Sequence, residues 1–141
     1  MQRYLWVLVA FAGVSVVYRF AVQGQFVLAV TFGVLNLLLV WWVSPWRGGK
    51  SLTRAEVMAL PAAERRVVIY WRPGCQFCAR LKSGLGESGK QARWVNIWQD
   101  KDAAEFVRSA NDGNETVPTV VMDGRTLTNP EPEIVLSRLT A

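Results

Sequence analysis

Hydrophobic and polar positions divide the chain near residue 43. From Tyr4 to Val22 the only charge is Arg19, and from Phe26 to Val43 the only polar interruptions are Thr31 and Asn36. At about 1.5 Å per residue, the second run just crosses a bilayer core of about 30 Å. Neither run has a polar face, so each predicts a transmembrane helix rather than an amphipathic one. Gln23-Gly24-Gln25 is a short polar turn between them. The pair therefore reads as an antiparallel hairpin over residues 1–43, with a membrane boundary at Trp41, Trp42, Pro45 and Trp46. A secretory signal, with Arg3 as its basic start and Leu5 to Val17 as its apolar core, is the competing reading of the first run, but a small-x-small cleavage site is missing.

Downstream the pattern becomes that of a water-facing domain. Residues 44–65 read as a linker: Ser44 to Lys50 holds Pro45, Gly48 and Gly49, and Thr53 with Glu56 is a capping box before Leu52, Val57, Met58 and Leu60. That short helix either packs on the domain, skims the membrane or is solvated. Within 66–141, Val67-Val68-Ile69-Tyr70-Trp71 is a continuous β-branched and aromatic run, the mark of a strand buried on both faces. From Cys75 the spacing turns helical through Phe77, Cys78, Leu81 and Leu85, ending among Gly84, Gly86 and Gly89. A strand at 93–98, a helix at 101–110 capped by Asp100, strands at 119–122 and 125–128 joined by Asp123-Gly124, and a helix at 131–139 complete the order. The fold class is α/β: a four-stranded mixed sheet with about three helices, preceded by two transmembrane helices.

Charge and cysteine content narrow the chemistry. Residues 1–43 contain only Arg3 and Arg19 as charges, and the remaining basic residues are interspersed with all eleven acidic ones. No basic stripe for nucleic acid results. Arg47, Lys50 and Arg54 follow the second apolar run, against Arg19 at the turn, so the positive-inside bias puts both termini in the cytoplasm. Cleavage of the first segment would leave the C-terminal domain on that same side. Both cysteines lie in one C-x-x-C, Cys75-Gln76-Phe77-Cys78. At a helix start, unpaired N–H groups and the helix dipole favour a thiolate, so Cys75 is expected to attack, aided by Arg72, and Cys78, one turn on, to resolve. An intrachain zinc site is excluded because there is no histidine and no third cysteine. A cluster shared between two chains stays open.

Three motifs carry a resemblance: Cys75-Gln76-Phe77-Cys78 with Ala79-Arg80-Leu81-Lys82, then Asp102-Ala103-Ala104-Glu105-Phe106-Val107, then Thr116-Val117-Pro118-Thr119-Val120 running into Asp123-Gly124-Arg125-Thr126-Leu127-Thr128-Asn129-Pro130. In order and spacing, residues 66 to 140 resemble a glutaredoxin, and within that family the actinobacterial mycoredoxins. The resemblance implies a thioredoxin/glutaredoxin fold, a cis Pro118 beside the cysteines, and a Val117 main chain that pairs with a substrate thiol. Glutathione users of the family usually carry Gly-Gly and an acidic pair after the last strand, where this chain has Thr126-Leu127-Thr128-Asn129-Pro130. That departure points to mycothiol, met by the hydroxyl and amide of Thr128 and Asn129, with Arg72 and Phe77 completing the substrate surface. Phe77 replaces a frequent tyrosine, and the glycine-rich stretch 84–89 looks looser than the family norm.

The expected protein is a two-pass membrane thiol-disulfide oxidoreductase facing the cytoplasm. It binds no cofactor, takes mycothiol or glutathione as co-substrate, and reduces disulfide-containing protein clients, membrane proteins among them. An extracytoplasmic disulfide relay and an iron-sulfur or redox-sensing module are the competing readings.

Overall fold

A computed structural model describes residues 4–140; Arg3 and its expected role lie outside the described residues. The chain forms two compact units, Met1–Gly49 and Lys50–Ala141.

The first unit is a helical hairpin of α1 (Leu5–Val22) and α2 (Phe26–Val43), turned at Gly24, whose φ of +73° a side chain would resist. The Phe20 and Phe32 rings stack 5.2 Å apart across the pair. Asn36 Nδ2 donates to the Val9 carbonyl at 3.0 Å, which gives the one amide of α2 an acceptor within the hairpin. A Cβ on Gly13 would lie 2.0 Å from the Asn36 side chain, so only glycine admits that amide. Ala29 is the buried residue of α2, and most of the other apolar side chains point outward. Among the described residues, one helix, Phe26–Val43, is long and apolar enough to cross a membrane. The two-span expectation thus has one qualifying helix behind it. After α2, the Arg47 guanidinium lies 3.7 Å from the centre of the Trp42 ring.

Residues 50–65, expected as a linker with a short helix, group by contact with the second unit. Ser51 clips the chain onto the sheet edge: its hydroxyl donates to the Trp94 carbonyl at 3.0 Å and accepts the Asn96 N–H at 2.8 Å, while its own N–H reaches Gln99 Oε1 at 3.0 Å. The helix α3 (Arg54–Ala59) follows, with the Thr53–Glu56 capping box formed in both directions. The Thr53 N–H bond holds the Glu56 carboxyl below the usual carboxylate range. Val57, 0% exposed, plugs the helix into the core, and the Arg54 guanidinium covers the Phe106 ring at 4.4 Å.

Beyond a 3-10 turn at Ala62–Arg65 come β1 (Val67–Trp71), α4 (Gln76–Leu85), a second 3-10 turn (Gly86–Gln91), β2 (Arg93–Asn96), α5 (Lys101–Ala110), β3 (Thr119–Met122), β4 (Arg125–Thr128) and α6 (Pro132–Leu139). The sheet order is β2-β1-β3-β4, with β1 parallel to β2 and the other pairs antiparallel. β1 runs through the middle, and its alternating side chains feed two cores. Val68 and Tyr70 join Val57, Val95, Ala103 and Val107 on one face, while Val67 and Ile69 join Leu81, Leu85, Val120 and Val135 on the other.

Three expectations shift. β2 stops at Asn96 rather than Trp98, because the buried Asn96 side chain accepts the Trp98 N–H at 2.9 Å and turns the chain. α6 starts at Pro132, with Glu131 as its N-cap, since proline suits the first turn where no N–H is needed. The glycine-rich stretch is packed rather than loose. A Cβ on Gly84 would lie 2.5 Å from Pro132, so that glycine lets α4 and α6 approach, and Gly89 is buried.

Truncating Val57 to alanine tests whether α3 is structural. Loss of about two buried methyl-sized groups should cost the second unit about 2 kcal/mol in chemical denaturation, whereas a solvated linker helix would change it by less than about 0.5 kcal/mol.

Candidate functional site

Both parallel strands deliver their C-terminal ends to one edge of the sheet, the edge where α/β sheets hold their ligands. After Trp71, Arg72 and the buried Pro73 lead to Gly74, whose φ is +75°, and the chain reverses into α4 with Cys75 as its N-cap. The Cys78 N–H donates to Cys75 Sγ at 3.1 Å. A sulfur thus occupies the place usually taken by a serine or aspartate oxygen, satisfying one of the unpaired N–H groups of the helix start. On its other side, the Cys75 thiol reaches the Val117 carbonyl at 3.3 Å.

The two sulfurs differ in environment. Cys75 is partly exposed, while Cys78 is 3% exposed, and both are unbridged, so this is the dithiol state. Burial pushes the Cys78 thiol strongly up, the adjacent Cys75 adds to the rise, and the Arg72 main chain offsets part of it. Cys78 is therefore a thiol at neutral pH, inaccessible to a bulky disulfide from outside but one turn from Cys75.

The Val117–Pro118 bond is cis, and both residues are buried. The Val117 carbonyl, expected to face a substrate, is occupied by the Cys75 thiol in this state. Asn129 donates its N–H to the Pro118 carbonyl at 2.8 Å and sits at φ +48°, a left-handed conformation that asparagine tolerates. Thr128 pairs across the ladder with Thr119, directly after Pro118. The structure thus gathers Cys75, Cys78, Val117, Pro118, Thr128 and Asn129 around one loop. Arg72 lies with its guanidinium 5.9 Å from the Trp98 ring centre, and Phe77 projects outward, 56% exposed.

Sequence reasoning missed Asn111. Its Nδ2 donates to the Val107 carbonyl at 2.7 Å and to Thr119 Oγ1 at 3.1 Å, and its Oδ1 accepts the Thr128 hydroxyl. Thr119 in turn donates to the Thr116 carbonyl at 2.8 Å, so one amide ties the end of α5 to both strands flanking Pro118. Read along the sequence, Asn111 is only a residue ending a helix. These bonds also change the account of Thr128, whose hydroxyl proton goes to Asn111, leaving only its acceptor lone pairs for a ligand.

A sheet of this order, with C-x-x-C at the head of the helix after β1, defines a thioredoxin-type dithiol domain. The glutaredoxin family profile matches residues 67–127. A protein carrying the glutaredoxin name in Mycobacterium tuberculosis strain H37Rv is 45% identical over 74 residues, covering 52% of this chain and 88% of that one. Mycoredoxin 1 of Corynebacterium glutamicum is 40% identical over 76 residues, covering 53% of this chain and 94% of its own. The chain belongs to the glutaredoxin family and is a thiol-disulfide oxidoreductase. Such proteins need no bound cofactor and use thiols of the glutathione and mycothiol type as co-substrates. The family profile does not extend over the N-terminal hairpin.

The buried Cys78 thiol generates a pH prediction. Folding raises its pKa above the ordinary 9.0, so the folded dithiol holds a proton that the unfolded chain releases. Its contribution is complete below that value and is lost as pH rises beyond it, at no more than about 1.4 kcal/mol per pH unit. Denaturation in reductant between about pH 8 and about pH 10 should show this decline. Cys78→Ser should flatten it, and equal slopes in the two proteins would contradict the assignment. At still higher pH, Tyr70, also raised by burial from 10.0, adds its own slope.

Replacing Asn111 with alanine should cost about 1–3 kcal/mol, since it leaves buried acceptors and a hydroxyl without partners. It should also raise hydrogen exchange at the Asn129 amide, the bond that closes the proline loop.

Proposed function

We propose that the protein is a membrane-anchored reductase of mixed disulfides, with Cys75 as nucleophile and Cys78 as resolving thiol. The observation that carries this is the pair of contrasting sulfurs: a partly exposed one capping α4 beside a cis-proline, and a buried, protonated one a single turn away. Cys75 thiolate attacks a disulfide between a client and a small thiol. A new bond forms at Cys75 Sγ, the old S–S bond breaks, and the departing thiolate takes a proton from water. Cys78 then loses its proton and attacks Cys75 Sγ, releasing the second thiol and leaving a Cys75–Cys78 disulfide. Two equivalents of a low-molecular-weight thiol then attack in turn, return the dithiol and leave joined as their own disulfide.

Mycothiol is the thiol this reading favours. Support comes from the 40% identity to a mycoredoxin and from Thr126-Leu127-Thr128-Asn129-Pro130 in place of a glycine pair with acidic residues. Asn129, exposed beside Pro118, is the better candidate contact, given that Thr128 already bonds Asn111. Arg72 and Phe77 flank the sulfur along the chain and complete the proposed client surface.

The hairpin serves as a two-pass anchor with the redox domain in the cytoplasm. Apolar side chains exposed around both helices support the anchor, since such surface is otherwise costly in water. Arg47 and Lys50 after α2, against Arg19 at the turn, support the orientation. Arg54 contributes less than its sequence position implied, because its guanidinium lies over the Phe106 ring. Clients are then membrane proteins or proteins close to the bilayer.

Turnover of a model mixed disulfide should be several-fold faster with mycothiol than with glutathione, and Cys75→Ser should reduce it to the uncatalysed rate. Residual enzymatic turnover in that variant would refute the assignment. Because Cys75 and Cys78 are the only cysteines, a membrane-impermeant thiol reagent reads the topology directly. It should label the protein only after permeabilisation, and labelling in intact cells would place the domain outside.

A further inference from the structure

The opposite end of the sheet from Cys75 carries a second, charged feature. Arg66 immediately precedes β1, Arg93 opens β2, and Arg138 lies in the last turn of α6. Together with Gln91 and Glu64 they line an open cavity of about 280 Å³. β1 separates this end from the redox centre by five residues, which at about 3.3 Å per residue is some 16 Å.

Counting donors shows what the cavity lacks. Arg93 uses Nε on the Glu64 carbonyl at 2.8 Å and Nη2 on the Glu64 carboxylate at 3.1 Å. Arg138 uses Nε on Asp123 Oδ1 at 2.7 Å and Nη2 on the same carboxylate. Each leaves its Nη1 group without a partner among the described residues, and Arg66 has no carboxylate partner there at all. Among the described residues, three guanidinium groups stand against the two carboxylates of Glu64 and Asp123, which leaves one positive charge over. Guanidinium N–H forks left open around a concave, polar pocket match the oxygens of a tetrahedral oxyanion, which accepts several bonds at once.

We propose that this cavity binds a phosphate-class oxyanion, carried either by a soluble phosphate or by the headgroup of an anionic lipid. Arg66 is its principal donor, and the unspent Nη1 groups of Arg93 and Arg138 complete the cradle. The site is independent of thiol exchange and depends on neither the thiol nor the client assigned above.

The test uses the full chain in nanodiscs of phosphatidylcholine, with arginine Nε–H resonances followed by NMR. Titration with inorganic phosphate should move the Arg66, Arg93 and Arg138 signals together and saturably, while sodium chloride at equal ionic strength should not. Arg66→Gln should weaken the apparent affinity by about tenfold, the scale of one charged hydrogen bond. That variant should keep its Cys75-dependent turnover, which verifies its fold and separates this proposal from the catalytic one. If the signals move only when phosphatidylglycerol is built into the discs, the lipid headgroup is the source. If neither phosphate nor phosphatidylglycerol gives a saturable response, or chloride reproduces it, the site is refuted.

Discussion

The burial of β1 on both faces is the constraint from which the rest of the second unit follows. A strand whose odd and even side chains both enter cores cannot slip by a residue without exchanging Val68 and Tyr70 for Val67 and Ile69 in two differently shaped interiors. Its register against β2 and β3 is therefore fixed, and so is the place where it stops. Trp71 ends the strand, Gly74 turns the chain, and Cys75 must emerge at the sheet's C-terminal edge. The same register brings Thr119 and Thr128 alongside, with the cis Val117–Pro118 bond facing the sulfur.

Within that frame, short polar contacts set the chemistry. The Cys78 N–H on Cys75 Sγ makes that sulfur part of the helix cap, so its position is tied to the existence of α4 rather than to a flexible rotamer. The same turn of helix buries Cys78, and burial disfavours its thiolate. Exposure of one sulfur and desolvation of the other thus arise from a single local geometry, the contrast on which the proposed order of attack rests. Asn111 holds the third wall, tying α5 to the two strands on either side of the proline loop.

The sequence carried those parts whose physics is local or periodic. The double-faced apolar run of β1, the capping box at Thr53 and Glu56, the Asp100 cap and the C-x-x-C at a helix start are all patterns within a few residues, and the structure reproduces them. What was not legible depends on partners far along the chain. Ser51 looks like a linker serine until Trp94, Asn96 and Gln99 are seen around it. Asn96 reads as mid-strand until its side chain turns the backbone. Gly84 reads as looseness until Pro132 arrives against it. Thr128 offers a hydroxyl in the sequence and donates its proton to Asn111 in the fold. The hairpin was legible as apolar surface, but Asn36 could not be assigned to the Val9 carbonyl without the helix register.

Trapping the first covalent intermediate tests the division of labour between the two sulfurs most directly. Full-length Cys78→Ser protein, exposed to an excess of a small-molecule mixed disulfide and mapped by mass spectrometry, should carry one thiol adduct, on Cys75. In the complementary Cys75→Ser protein, the buried Cys78 should remain unmodified under the same conditions. An adduct forming on Cys78 as readily as on Cys75 would contradict the assignment of an exposed attacker and a sheltered resolver.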